Sequence, residues 1–137
     1  MNANRAFVDS NIWLYALING QDLVKHHIAQ DLVGKTSCVA SIQVVQEICS
    51  NLIKKFSYLK AQIKSLIKSF SAGCEIIIPS INLLLQAEEL RGQYHLSYWD
   101  SLIVASAIAA NVEILYSEDM QSGILVYNRM RIVNPFS

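Results

Sequence analysis

The chain has 137 residues, of which 53% are hydrophobic and 16% are charged. With only 5 Gly and 2 Pro, this composition excludes a disordered linker, a collagen-like chain and a small disulfide scaffold. The 11 basic and 11 acidic residues cancel, so a nucleic acid or a membrane would have to be recognised through a local patch. The length suits a single domain, residues 1–137, whose core needs no metal or disulfide to hold it together.

The three cysteines, Cys38, Cys49 and Cys74, lie in apolar segments and form no CxxC pair. An odd number at this spacing predicts buried free thiols in a reducing compartment. No segment has the pattern of a secretion signal, and the longest largely apolar run, residues 102–110, is too short to cross a bilayer. We therefore expect a cytoplasmic protein that has no membrane association.

Short apolar runs with strand character alternate along the chain with longer runs of helical length. The predicted strands are residues 6–8, 37–40, 75–78, 114–116 and 131–133. The predicted helices are residues 11–18, 22–33, 42–53, 58–70, 83–94 and 99–110. Strands without apolar and polar alternation, separated by helices, favour a mainly parallel sheet covered on both faces. The sequence therefore predicts a three-layer α/β/α domain.

Four acidic residues stand where a ligand collects on such a fold. Asp9 directly follows the first predicted strand and Asp119 closely follows the fourth. Ligands of open α/β sheets bind at the carboxyl ends of the strands. Asp100 lies in the first turn of an almost wholly apolar helix. Glu47 falls just outside the apolar stripe of its helix, from which it can reach over the sheet edge.

Each acid also has an ordinary structural explanation. Asp9 can cap the helix that follows it, because N-caps favour this residue type. Asp100 and Ser97 have the spacing of a capping box, and an acid there is also favoured by the helix dipole. Asp119 can be a loop acid, and Glu47 can be a solvated helix residue. Taken singly, none of the four indicates a site.

Taken together, the four acids indicate metal-dependent chemistry. Carboxylates that share a pocket raise one another's pKa and need a cation to stay ionised. Oxygen ligands suit Mg²⁺ or Mn²⁺, whereas zinc would call for His or Cys. Such ions activate water and stabilise the oxygens of an in-line phosphoryl displacement. The acids therefore predict hydrolysis of a phosphodiester.

The motifs around these acids follow one another in a recognisable order. They are Phe-Val-Asp-Ser-Asn from Phe7, Gln-Glu from Gln46, Leu-Ser-Tyr-Trp-Asp-Ser-Leu-Ile-Val-Ala from Leu96, Leu-Tyr-Ser-Glu-Asp-Met-Gln from Leu115, and the closing Arg-Ile-Val-Asn-Pro-Phe from Arg131. This ordered set resembles the PIN-domain ribonucleases, and more narrowly the VapC-type toxins of prokaryotic toxin–antitoxin pairs. The resemblance implies a Rossmann-like α/β/α fold and an endoribonuclease that depends on Mg²⁺ or Mn²⁺. It also implies a homodimer and a cognate antitoxin that blocks the active site.

The resemblance further implies roles for particular residues. It assigns the catalytic acids to four positions: Asp9, Glu47, Asp100 and Asp119. Asp9, Asp100 and Asp119 would be the metal ligands. Glu47 is the only local candidate for the second acid, because no other acid lies between positions 31 and 75. Asn11 and Ser117 match polar positions that orient these acids or a bound water.

The segment from 48 to 74 contains no acid and carries several lysines. Lys60, Lys64 and Lys68 repeat every four residues, so on a helix they form one row, and Lys54 precedes them. One explanation is a solvated face that supports solubility. The other is a set of contacts to RNA phosphates, which would give salt-sensitive affinity without sequence selectivity.

Two other functions remain open on the sequence. One is a catalytically silent module that binds RNA or a partner on the same fold, although a pure binder gains nothing from the repulsion among four acids. The other is a phosphoaspartyl receiver or phosphatase built on Asp9. This second alternative is disfavoured, because Asn11 replaces the second Asp of the phosphatases and no Lys lies near a late strand end.

Overall fold

The computed structural model of the protein describes residues 4–137. Within this range the strands are β1 (Arg5–Val8), β2 (Ser37–Ser41), β3 (Glu75–Ile77), β4 (Ile114–Tyr116), β5 (Leu125–Val126) and β6 (Met130–Val133). The helices are α1 (Ser10–Leu17), α2 (Leu23–Lys35), α3 (Ile42–Phe56), α4 (Lys60–Gly73), α5 (Ile81–Tyr94) and α6 (Tyr98–Ala109).

The strands form one sheet in the order β3-β2-β1-β4-β6-β5. All neighbouring pairs are parallel except β5 and β6, which are antiparallel. In the centre, Phe7 of β1 stands opposite Val39 of β2 and Leu115 of β4. The chain builds outward from β1 through β2 to β3, and then returns to the other side of β1 with β4. The order of the strands therefore reverses between β1 and β4.

The sheet is covered on both faces. Phe7 and Val8 are adjacent in β1, and consecutive strand residues point to opposite faces. Phe7 belongs to a core cluster with residues of α3, α5 and α6, whereas Val8 packs with Ile12 of α1 and Ala29 of α2. The predicted three-layer α/β/α fold with a mainly parallel sheet is confirmed.

Polar residues and apolar patterning explain where the helices begin and how they pack. Five helices start after a side chain that accepts a hydrogen bond from a backbone amide of the first turn. These caps are Asp9, Asp22, Ser41, Ser80 and Ser97. Helix α6 is buried from Ser101 to Ile108, as expected of a helix that is apolar on all sides.

Strand β5 is a difference from the sequence prediction. It contains only two residues and pairs with β6 across a tight turn in which Tyr127 and Asn128 both have positive φ, 50° and 57°. Such a turn matches the twist of a two-stranded hairpin, and Asn favours it. A strand of two residues has no readable periodicity, so the sequence pattern did not reveal it.

Within residues 4–137, no helix combines the length and the apolar character that crossing a membrane requires. The three cysteines are free in this range, and Cys38 is buried while Cys49 and Cys74 are partly exposed.

Candidate active site

The candidate site lies where the strand order reverses. Asp9 immediately follows β1, and Asp119 comes three residues after the last residue of β4. The amide of Asp9 donates to the carbonyl of Tyr116 at 3.0 Å, which holds the two strand ends together. Both acids therefore stand at the carboxyl edge of the sheet, at its topological switch point, where open α/β sheets bind their ligands.

Asp9 is the most buried of the four acids, with 5% of its surface exposed. Its Oδ1 accepts from the amide of Ser10 at 2.8 Å, and its Oδ2 accepts from the buried hydroxyl of Ser117 at 2.8 Å. Burial raises the pKa of Asp9 from its ordinary 3.8 to about 6, although these two hydrogen bonds lower it and the charges of Asp119 and Asp100 raise it. Asp9 caps α1 and belongs to the site as well.

Glu47 lies on α3 and turns toward the same pocket. Burial raises the pKa of its carboxyl, and the charge of Asp9 raises it further, while the hydroxyl of Ser10 lowers it. Asn51 donates to the backbone carbonyl of Glu47 at 2.9 Å, and so does not pair with its carboxylate. Glu47 is therefore not a helix residue that simply faces water.

Asp100 is the third residue of α6, and its amide donates to the side chain of Ser97 at 3.1 Å. Burial raises the pKa of the Asp100 carboxyl, the side chain of Ser97 lowers it, and the charge of Asp119 raises it. The capping arrangement is present, and the carboxyl also interacts with the other acids. The structural and functional explanations of this residue therefore coexist.

The structure also distinguishes Asp119, the acid selected from the sequence, from the adjacent Glu118. Glu118 is engaged on both oxygens, since Tyr15 donates to Oε1 at 3.0 Å and Lys25 pairs with Oε2. Asp119 is exposed, and its charge raises the pKa of Asp9 and the pKa of Asp100. Asp119, and not Glu118, is therefore the acid that shares the pocket. No sequence signal linked Lys25 to Glu118, because 93 positions separate them.

All four acids act on one another electrostatically. The four acids are Asp9, Glu47, Asp100 and Asp119. In each of their pairs, the negative charge of one carboxylate raises the pKa of the other. In the range 4–137, however, no three His, Cys, Asp or Glu side chains stand close enough together to hold a metal ion as they are placed. Mutual repulsion opposes a closer approach of four like charges in the absence of a cation.

The side chain of Asn11 has unused hydrogen-bonding capacity although it is buried. Both its Oδ1 and its Nδ2 are buried and have no partner among the described residues. Buried amides are normally hydrogen-bonded. Asn11 follows Asp9 by two positions in the first turn of α1, so its side chain offers an unused donor and an unused acceptor on the same helix end as Asp9. A donor set of carboxylate oxygens with one amide fits a hard divalent cation and its water.

The predicted basic row is exposed but is not shown to adjoin the acids. Lys60, Lys64 and Lys68 lie on the exposed surface of α4, and Lys54 lies in the last turn of α3. Helix α4 ends directly before β3 begins, which is the amino end of that strand. The acids stand at the opposite, carboxyl edge. The row is accessible to a phosphate backbone, and its role in RNA binding stays a prediction.

Comparison with known proteins identifies the family. The chain belongs to the PIN domain family, whose model matches residues 6–122. This confirms the resemblance drawn from the four ordered motifs. No curated protein matches the sequence.

Solved structures share the fold at low sequence identity. A toxin–antitoxin complex from Klebsiella pneumoniae matches with a TM-score of 0.71 and 21% identity, covering 95% of this chain and 97% of the other. VapC20 of Mycobacterium tuberculosis, a toxin that cleaves the sarcin–ricin loop, matches with a TM-score of 0.68 and 18% identity, covering 83% and 91%. VapBC2 of Rickettsia felis, bound to a DNA fragment from its promoter, matches with a TM-score of 0.60 and 21% identity, covering 93% and 96%.

Proposed function

We propose that the protein is a metal-dependent endoribonuclease that hydrolyses RNA phosphodiester bonds, and that it is the toxin of a type II toxin–antitoxin pair. The observation that carries this proposal is the set of four mutually interacting carboxylates at the β1–β4 switch point of a PIN domain. The cleavage of the sarcin–ricin loop by VapC20, a structural relative, supports RNA as the substrate class. Membership of the family supports nuclease activity in general.

The cofactor in this proposal is Mg²⁺ or Mn²⁺. Asp9, Asp100 and Asp119 would hold it, with Glu47 as a further acid on the α3 side. When bound, such an ion lowers the pKa of a water and stabilises the charge that develops on the phosphate oxygens. The positive charge of a bound cation would lower the pKa values that burial and the neighbouring acids raise. Metal binding would therefore favour the ionised carboxylates.

The surrounding residues would orient these groups. The hydroxyl of Ser117 fixes one oxygen of Asp9 and the amide of Ser10 fixes the other, so the Asp9 carboxylate cannot rotate freely. Asn11 would use its unpartnered amide to hold a water or a phosphate oxygen beside the acids. Glu47, whose pKa is raised, would accept or release a proton nearer to neutral pH than an ordinary glutamate.

A cognate antitoxin is the partner we propose. Two of the structural relatives are a toxin–antitoxin complex and the VapBC2 pair. The acidic pocket lies at an accessible sheet edge, so a bound protein segment could cover it. Co-expression with the product of the neighbouring reading frame, followed by purification of a stable complex that no longer cuts RNA, would test this partner.

We also propose that the protein is a homodimer. Large apolar side chains are exposed just after β3 and on α5, which packs against α6: Ile78, Ile81 and Leu85 are 74%, 73% and 63% exposed. Trp99 is 62% exposed, and Gln43 of α3 donates to its carbonyl at 3.3 Å. Exposed apolar patches of this kind mark interaction sites. Because its side chains are uncharged, the surface can face a copy of itself across a two-fold axis without opposing like charges.

The decisive experiment is cleavage of total RNA by the purified protein. We expect cleavage with Mg²⁺ or Mn²⁺, none with EDTA, and none by Asp9→Asn with either metal. Asp31→Asn is the matched control, because Asp31 is an exposed acid on α2 that pairs with Lys35 at 2.9 Å. Cleavage by Asp9→Asn at the wild-type rate would exclude the proposed mechanism.

A second candidate function is a catalytically silent module that binds RNA or a partner. It is favoured by the finding that, within the described part of the chain, no three potential ligands are arranged to hold an ion. Thermal unfolding with and without Mn²⁺ separates the two functions. A silent module would be stabilised little by the metal, whereas the nuclease would be stabilised by at least a few degrees.

A further inference from the structure

Glu118 is held by two side chains from different helices. Tyr15 of α1 donates to Oε1 at 3.0 Å, and the ammonium group of Lys25 of α2 pairs with Oε2. The Lys25 nitrogen also lies 5.1 Å from the centre of the Tyr15 ring and 5.4 Å from that of Phe136. We refer to Tyr15, Lys25 and Glu118 as the Glu118 clamp. It joins α1 and α2 to the loop that follows β4.

The clamp is partly buried and supported by its neighbours. The side chains of Lys25 and Glu118 are 31% and 22% exposed, so water screens their pairing less than that of a surface pair. The Tyr15 and Phe136 rings pack edge to face with their centres 5.2 Å apart. The ring nitrogen Nδ1 of the buried His26 lies 2.8 Å from the carbonyl of Tyr15, which fastens α2 to α1.

The loop that carries Asp119 has few backbone anchors. The amide of Ser117 donates to Val133 at 3.0 Å on one side, and that of Gly123 donates to Ile132 at 2.8 Å on the other. Between these two points, counting partners within residues 4–137, no residue makes a backbone-to-backbone hydrogen bond. Side chains must therefore fix this part of the loop.

Three side chains are available for that task. Met120 is buried, Ser122 accepts from the amide of Asn134 at 3.1 Å, and Glu118 is held by the clamp. Asp119 is exposed, and its carboxylate accepts no hydrogen bond from any described residue. The other three acids repel Asp119, and the adjacent Glu118 is the charged anchor nearest to it.

We propose that Lys25 and Tyr15, acting through Glu118, are positioning residues that keep Asp119 beside the other acids of the site. This role rests on the proposed function, because it matters when the acids bind a metal. Without the clamp, repulsion by Asp9, Glu47 and Asp100 would move the Asp119 loop outward. Groups that orient metal ligands typically contribute about 10- to 100-fold to metal affinity.

Simple electrostatics and the positioning role predict opposite results for Lys25→Met. Removing a positive charge near an acidic site, and leaving Glu118 unpaired, would by itself tighten the binding of a cation. Loss of positioning would weaken it. A weaker affinity of Lys25→Met for Mn²⁺ therefore cannot come from the change of charge alone.

The test is a calorimetric titration of the full chain with Mn²⁺. We expect the Kd to rise about 10-fold or more for Lys25→Met and for Glu118→Gln, and to be restored by Lys25→Arg. Tyr15→Phe should also raise the Kd, and it does so without any change of charge. Lys35→Met is the matched control, because Lys35 lies on the same helix in an exposed pair with Asp31. Its Kd should stay within about twofold of the wild type, as a screened surface pair implies.

Hydrogen–deuterium exchange in EDTA provides a readout that needs no metal. We expect the amides of Ser117 and Gly123, which anchor the two ends of the loop by donating to Val133 and Ile132, to exchange faster in Lys25→Met than in Lys35→Met, while α1 and α2 stay protected. Unchanged loop exchange, or an equal or tighter Kd for Mn²⁺ in Lys25→Met, would overturn the positioning role alone. A wild-type protein that neither binds Mn²⁺ nor cuts RNA would overturn the proposed function, and this role with it.

Discussion

Replacement of Asp9 by Asn should stabilise the metal-free protein. The pKa of Asp9 is about 6 in the folded chain and has an ordinary value of 3.8 when the chain is unfolded. At pH 8 this difference in pKa lowers the free energy of unfolding by about 3 kcal/mol, because the folded state must hold the ionised carboxyl in a buried place. Asn carries no charge and so avoids this cost.

The expected gain is smaller than that figure. Asn has only one acceptor oxygen, whereas Asp9 accepts from both Ser10 and Ser117. Loss of part of one hydrogen bond costs about 1 kcal/mol. We therefore expect Asp9→Asn to be about 1–2 kcal/mol more stable than the wild type at pH 8, which is a rise in Tm of about 3–7 °C for a chain of this length.

The gain should depend on pH with a defined sign. A carboxyl whose pKa is raised by folding destabilises the folded state when it is ionised, and the effect is complete above its folded pKa of about 6. This destabilisation fades as the pH falls from 6 toward 3.8, because the Asp9 carboxyl of the folded protein is then protonated. At pH 4 the difference between Asp9→Asn and the wild type should fall below about 1 kcal/mol.

Urea unfolding followed by circular dichroism, in EDTA at pH 8 and pH 4, measures both quantities. Asp31→Asn, an exposed acid with a surface partner, should change stability by no more than about 0.5 kcal/mol at either pH. Adding Mn²⁺ at pH 8 should stabilise the wild type and leave Asp9→Asn unchanged. An Asp9→Asn protein that is less stable than the wild type at pH 8, or whose gain is the same at both pH values, would refute the reasoning.

Three further outcomes are expected. Ser117→Ala removes a hydrogen bond that lowers the pKa of Asp9, so the apparent pKa of the acidic limb of the pH–rate profile for cleavage should rise. A profile that does not move would contradict the role of Ser117 in setting the pKa of Asp9. Iodoacetamide should alkylate Cys74 before Cys49, because the neighbouring thiol lowers the pKa of Cys74 while burial raises the pKa of Cys49. Mass spectrometry of digests taken after brief alkylation shows the order, and equal rates would contradict this prediction. Trp99→Asp should convert the proposed dimer to a monomer in sedimentation without loss of folded structure, and a dimer that persists would place the interface elsewhere.

The local pattern of the sequence was sufficient for the architecture. Strands made of short apolar runs and helices of amphipathic or wholly apolar character appear within a few residues of their predicted bounds. Two helix starts are shifted by two residues: α4 begins at Lys60 and not at 58, and α5 begins at Ile81 and not at 83, because Ser80 caps it. Strand β5 was missed, since its pairing with β6 depends on a turn and a partner strand and not on its own two residues.

The candidate acids could be selected from the sequence because each stands at a strand end or in the first turns of a helix, positions that a parallel α/β fold places at one edge. Whether they interact could not be read, since residues 9, 47, 100 and 119 are far apart along the chain. The structure shows that every pair interacts. Their roles as catalytic residues and metal ligands stay predictions.

The sequence by itself determined the order of elements, the parallel sheet and the four acids, because these depend on residue type and short-range spacing. Only the tertiary structure revealed that Tyr15 and Lys25 hold Glu118, since these two residues reach it from the other end of the chain. It also left Ile78, Ile81 and Trp99 uncovered. Apolar residues look alike in a sequence whether they face the core or the solvent, and packing alone distinguishes them.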